Sequence, residues 1–221
     1  MSKELRERAF EIGDRPSSMR FYRLVRGFVR RVLFPLLRMK SENHDVLNLP
    51  GPTILAPVHR SHLDSPLLAS LSERRIRALG KESLFTKPGL AWACAALGAI
   101  PVRRGEADRE ALKAAKALLD RGESMIVFPE GTRQDDHDVA ELFDGAAWLA
   151  SRTGARVVPI GISGSGDALG SGSKMLKRAY VGVVVGDPLE PPVGDDGKRA
   201  NRDQLRVFTL ELRERMQTAQ D

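Results

Sequence analysis

The chain has 221 residues, 42% of them hydrophobic, enough to bury a substantial core within one domain. Its single cysteine, Cys94, excludes an intramolecular disulfide and a multi-cysteine metal site and fits a reducing compartment. The net charge of +6 is concentrated: residues 15–40 carry eight basic side chains and no acid, so the rest of the chain nets −2.

The first residues, MSKELRERAFEIGD, are dense in charge with no apolar stretch behind them, which argues against a secretory signal. Residues 18–34, SMRFYRLVRGFVRRVLF, then place Phe21, Leu24, Val25, Phe28, Val29, Val32 and Leu33 at helical spacing. Arg20, Arg23, Arg26, Arg30 and Arg31 fall on the opposite side. The pattern predicts an amphipathic helix capped by Ser17 or Ser18 and ended or kinked by Pro35. Such a helix can dock on its own core, bind nucleic acid, or lie on an anionic membrane surface. Nucleic acid is the weakest of the three, because no aromatic stacking platform accompanies the basic face and the remaining chain is slightly acidic. Apolar side chains opposite an all-arginine face suit a membrane interface, where each basic residue contributes about 1 kcal/mol. Core docking is the default alternative.

From residue 53 the pattern becomes strand-sized apolar runs at 53–58, 76–80, 99–102, 124–128, 156–162 and 180–185. Helical segments are predicted between them near 62–72, 88–97, 106–121 and 139–152, with Gly122 and Gly154 as stops. The tail from 202 reads as a helix with a stripe of Leu205, Phe208 and Leu212. The alternation predicts an α/β fold: a single layered domain with a largely parallel central sheet, preceded by an N-terminal amphipathic helical segment. We set the membrane-association segment at 1–45 and the α/β domain at 46–221. No apolar run reaches the roughly 18 residues a spanning helix needs. The glycine- and serine-rich stretch 161–173 lacks dinucleotide-binding spacing and reads as a mobile loop over the site.

In parallel sheets function collects at the carboxyl ends of strands. One such end carries PVHRSHLDSP, residues 57–66. A metal site at His59, His62 and Asp64 needs a further ligand, and the other histidines, His44 and His137, lie in polar, loop-like surroundings; no metal is predicted. Ser61 and Asp64 fit a capping box, which explains the aspartate without chemistry but leaves His59 unexplained. On one regular helix a five-residue separation would set His59 and Asp64 about 140° apart. A strand-to-helix corner can instead fold the imidazole over the first turn, with Asp64 orienting His59 as a general base. That spacing arises often by chance, and two other strand ends strengthen it. GAIPVRRG (98–105) delivers Arg103 and Arg104, and FPEGTR (128–133) delivers Glu130, Gly131, Thr132 and Arg133. Surface ion pairs and a plain turn would account for either stretch alone. Together they suggest a cleft for an anionic substrate whose hydroxyl is to be deprotonated, since arginine suits bidentate phosphate recognition.

HxxxxD, GAIPVRRG, FPEGTR and VVPIGI, in this order, resemble the four motif blocks of the glycerolipid acyltransferase family, the lysophosphatidic acid acyltransferases among them. The resemblance spans roughly residues 45–190. It implies transfer of a fatty acyl group from a thioester, acyl-CoA or acyl carrier protein, to a glycerolipid hydroxyl, with no cofactor beyond that co-substrate. On it His59 is the base and Asp64 its orienting acid, Arg104, Glu130, Gly131, Thr132 and Arg133 bind the acceptor and its phosphate, and Pro159 belongs to the fourth block. Val58, Pro101 and Arg103 depart from common family residues, which bears on the acceptor: lysophosphatidate, another lysophospholipid, glycerol 3-phosphate or a glycolipid. The implied setting is peripheral, on the cytoplasmic face of a membrane. A noncatalytic lipid-binding protein and a metal-dependent hydrolase are the alternatives from other classes.

Overall fold

The structure, a computed structural model, describes residues 3–102, 109–170, 175–195, 197 and 199–221. Strands β1 (Lys40–Glu42), β2 (Thr53–Pro57), β3 (Ile76–Lys81), β4 (Ala99–Val102), β5 (Ser124–Ile126), β6 (Arg156–Ser163) and β7 (Gly182–Val185) form one sheet among the described residues. Its order is β1-β7-β6-β2-β5-β3-β4. Strands β2 to β6 run parallel, β7 pairs antiparallel with β6, and β1 lies parallel to β7. Every residue of β2 is buried, as the inner strand of a sheet covered on both faces must be. This is the layered α/β domain the alternating pattern predicts, and all six expected strands are present.

Two helix groups cover the sheet. Helices α1 (Lys3–Asp14), α2 (Pro16–Phe28), α4 (Asp64–Leu71) and α5 (Pro88–Ala96) pack among themselves, and α6 (Arg109–Asp120) and α7 (Gly145–Thr153) pack with each other, α7 also touching α9 (Arg202–Gln220). The short α3 (Phe34–Leu36) ends the N-terminal segment, and α8 (Ser165–Leu169) follows β6. The helix near 139–152 begins only at Gly145. Residues 139 and 140 instead run along other elements, with Val139 N–H donating to the Gln217 side chain and Ala140 N–H to Glu130.

The N-terminal segment departs from the sequence pattern in how it packs. Residues 3–45 are not set apart from the domain, because β1 within them joins the sheet and Tyr22, Val29 and Leu37 are buried. Pro35 ends the helical run as expected, at Leu36 one residue on. A π-turn over Val29–Leu33 bridges α2 to α3, and the widened turn accommodates a proline that has no N–H to give and whose ring crowds the preceding turn. The arginines also do not form one cationic face. Arg26 donates to the Ser72 and Glu73 carbonyls, and Arg30 to those of Ser70, Leu71 and Ser72. Both also pair with the Glu73 carboxylate. The carbonyls left over at the C-terminal end of α4 draw these two cations inward. Arg20, Arg23 and Arg31 remain exposed, together with Leu24, Phe28 and Val32.

Candidate active site

The carboxyl ends of β2, β5 and β6 converge on one corner of the molecule. As β2 ends, the chain turns through His59–Leu63 before α4 begins at Asp64, so the imidazole folds back over the first turn of the helix. His59 Nδ1 lies 2.9 Å from Asp64 Oδ2. A carboxylate only accepts, so this contact selects the tautomer with hydrogen on Nδ1 and leaves Nε2 as the basic nitrogen. Asp64 is fully buried and His59 is 5% exposed, so neither swings freely in water. The Phe128 ring stacks on the imidazole at 3.8 Å between centroids, fixing its plane.

Asp64 also receives the backbone N–H groups of Arg60 and Ser61, both at 2.8 Å. The second of these is one half of the expected capping box. The other half is altered: Ser61 Oγ accepts from Leu63 N–H, and Leu63 precedes the helix without a side-chain cap. The carboxylate that meets the imidazole thus also ties down the turn that leads into the helix.

The FPEGTR turn closes the corner from β5. Gly131 takes φ +73°, and a Cβ there would lie 2.7 Å from the Phe143 ring, so the tight turn under that ring requires glycine. Glu130 is 3% exposed and points inward. Its carboxylate accepts from Arg60 Nη1 at 2.9 and 3.0 Å, from His59 N–H at 2.7 Å and from Ala140 N–H at 3.1 Å. Gln134 N–H donates to the His59 carbonyl at 2.9 Å, so the turn grips the histidine backbone from both sides. Thr132 is exposed. Arg133 is half-buried, and its Nη1 is buried with no hydrogen-bond partner among the described residues. Arg103 and Arg104 lie outside the described residues.

His59 and Phe128 border a cavity of about 310 Å³ whose walls are mostly apolar, among them Val25, Val29, Leu79 and Leu97. Cys94 also lines it; burial pushes its thiol pKa up, which keeps it protonated and slow to react. His62 lines the same cavity, and no group of three or more His, Cys, Asp or Glu suited to a metal occurs among the described residues. Sequence reasoning missed Arg60, Ser165 and Phe128. Arg60 and Ser165 reach their carboxylates across 70 and 101 residues of chain, a distance over which one sequence carries no signal.

A histidine held by a buried aspartate thus lies beside a mostly apolar cavity at strand carboxyl ends, the kind of concave site in which ligands are bound. A family model described as Acyltransferase matches residues 38–163, more than half of the chain, and the chain belongs to that family. It is similar to the chloroplastic 1-acyl-sn-glycerol-3-phosphate acyltransferase LPAT1 of Arabidopsis thaliana, 31% identical over 74% of this chain and 47% of that one. The 1-acyl-sn-glycerol-3-phosphate acyltransferase of Bacillus subtilis is 27% identical over 76% of this chain and 82% of its own. The chain spans about half the length of the plant and algal relatives it matches. Among solved structures, the 1-acyl-sn-glycerophosphate acyltransferase PlsC from Thermotoga maritima aligns with TM-score 0.74 and 26% identity, over 97% of this chain and 86% of that one. The motif resemblance and the fold class thus hold together.

Proposed function

We propose that this protein transfers a fatty acyl group from acyl-CoA or an acyl carrier protein to the hydroxyl of lysophosphatidic acid or a related lysophospholipid, at a membrane surface. The observation that carries the reading is the His59–Asp64 pair at the edge of the apolar cavity. Nε2 takes the acceptor's hydroxyl proton as its oxygen attacks the thioester carbonyl. The C–O bond forms, the C–S bond breaks, and the departing thiolate recovers the proton from the imidazolium that Asp64 stabilises. A thioester is already activated, so no acyl-enzyme is needed and proximity with charge stabilisation suffices.

The cavity accepts the fatty chain, and Arg133, with an unpartnered buried Nη1, binds the acceptor phosphate with help from Arg104. Glu130 takes a different part from the one the motif suggested. Its oxygens are fully engaged by Arg60, His59 and Ala140, so it holds the base-bearing corner in place and leaves phosphate to the arginines. Gly131 and Thr132 shape the turn that presents Arg133. No helix among the described residues is long and apolar enough to cross a membrane. The protein attaches peripherally, on the cytoplasmic face, through the exposed Leu24, Phe28 and Val32 flanked by Arg20, Arg23 and Arg31. The Arabidopsis thaliana and Bacillus subtilis relatives are 1-acyl-sn-glycerol-3-phosphate acyltransferases, which favours lysophosphatidate as acceptor.

The test is an acceptor panel with palmitoyl-CoA on mixed vesicles: lysophosphatidate, glycerol 3-phosphate, lysophosphatidylcholine and a glycolipid, with product lipids separated. Diacylated phosphatidate formed from lysophosphatidate alone is the expected result. Thiol release that ignores every acceptor would make the protein a thioester hydrolase.

A further inference from the structure

The glycine- and serine-rich stretch after β6 lies outside the roles assigned above, and its described part is no loop over the site. β6 ends at Ser163, and Gly164 takes φ +72°, where a Cβ would sit 1.9 Å from the Tyr180 carbonyl oxygen, so only glycine makes this turn. The turn delivers Ser165, fully buried, whose Oγ donates to Asp64 Oδ1 at 2.7 Å. At the far end of α8, Ser61 Oγ donates to the Leu169 carbonyl at 2.7 Å. The short helix is stitched at both ends to the corner that carries His59.

The division of donors on Asp64 is uneven. His59 Nδ1–H, Arg60 N–H and Ser61 N–H all converge on Oδ2, and Ser165 alone among the described residues serves Oδ1. We infer that Ser165 is a positioning residue of the dyad: its hydroxyl fixes the rotation of the Asp64 carboxyl group so that Oδ2 stays aimed at the imidazole. Without it, Oδ1 is a buried carboxylate oxygen lacking a partner, and the carboxyl plane turns about its terminal torsion to find one. The hydrogen bond to Nδ1 then loses its alignment, and the base loses both its orientation and the stabilisation of its charged form.

This inference rests on the acyl-transfer reading only for its kinetic arm. In the full-length protein Ser165→Ala removes the hydroxyl without adding volume, and Ser165→Thr restores it. Ser165→Ala should lower kcat about 10- to 100-fold, the range for lost supporting hydrogen bonds around a site, with KM for both substrates unchanged. Ser165→Thr should recover most of the loss. With no substrate present, the low-field proton resonance of His59 Nδ1–H, assigned by its disappearance in His59→Ala, should be lost or displaced in Ser165→Ala and return in Ser165→Thr. Wild-type kcat and an unmoved resonance in Ser165→Ala would overturn the inference, as would a variant changed only in Tm or KM. If the wild type transfers no acyl group, the functional reading fails while the proton resonance still decides the role of Ser165.

Discussion

At the scale of single residues, the corner is held by two buried carboxylates with different tasks. Asp64 faces the imidazole, and Glu130 faces the backbone of the same histidine and the guanidinium of Arg60. Arg60 and Glu130 are 8% and 3% exposed, so each is the other's main compensation for lost water. Removing one partner of such a pair leaves the other charge buried and alone, at a cost of about 3–5 kcal/mol. Glu130→Ala should therefore lower the urea midpoint by a corresponding amount. The double variant Arg60→Met, Glu130→Leu should cost less than Glu130→Ala alone. A Glu130→Ala protein of wild-type stability would return Glu130 to the acceptor. His59, Asp64 and Glu130 were legible in the sequence because each sits in a short motif at a strand end. What Glu130 does was not, since its partner is the neighbour of the histidine and 70 residues distant.

Among elements, the strands were the most legible, because inner parallel strands must be apolar throughout. Strand β1 was invisible: Lys-Ser-Glu has no apolar pattern, and only its pairing with β7 makes it a strand. The same limit explains the error on α2. Helical periodicity placed all five arginines together, but it carries no knowledge of the unsatisfied carbonyls of α4 that claim Arg26 and Arg30. Vesicle binding should accordingly separate the two sets. Leu24→Asp with Phe28→Asp should abolish sedimentation with anionic vesicles, whereas Arg26→Ala should lower Tm and leave sedimentation near wild type. The reverse pattern would contradict the assigned faces.

Helix α1 supplies an acid with a measurable signature. Burial raises the pKa of Asp14, but hydrogen bonds and charge from Arg77 and Arg121 outweigh it, and the net is below the ordinary 3.8. An acid whose folded pKa is depressed stabilises the fold above its unfolded pKa and loses that contribution as pH falls through the folded value. Asp14→Asn should lower Tm at pH 7, and the gap to wild type should close as the pH drops below about 4. A gap that stays constant to pH 3 would show that the carboxylate's charge does not tie α1 to Arg77 on β3.

Over the whole molecule, the fold gathers three strand ends, an apolar cavity and an exposed amphipathic stripe into one chain. β2 leads into His59, β5 into the turn with Arg133, and β6 into the serine behind the aspartate. Helix α2 contributes Val25 to the cavity wall and leaves Leu24 and Phe28 on the outer surface.

We propose His59 as the base for acyl transfer to a phosphate-bearing lysolipid. Its most direct test measures thiol release from palmitoyl-CoA with and without lysophosphatidate, in the wild type and in His59→Ala with matched Tm and circular dichroism. Loss of a positioned base costs about 10² to 10⁴ in rate. Acceptor-dependent release is expected in the wild type and a loss of that size in the variant; a folded His59→Ala protein that still releases thiol at near wild-type rate with lysophosphatidate would rule His59 out as the base.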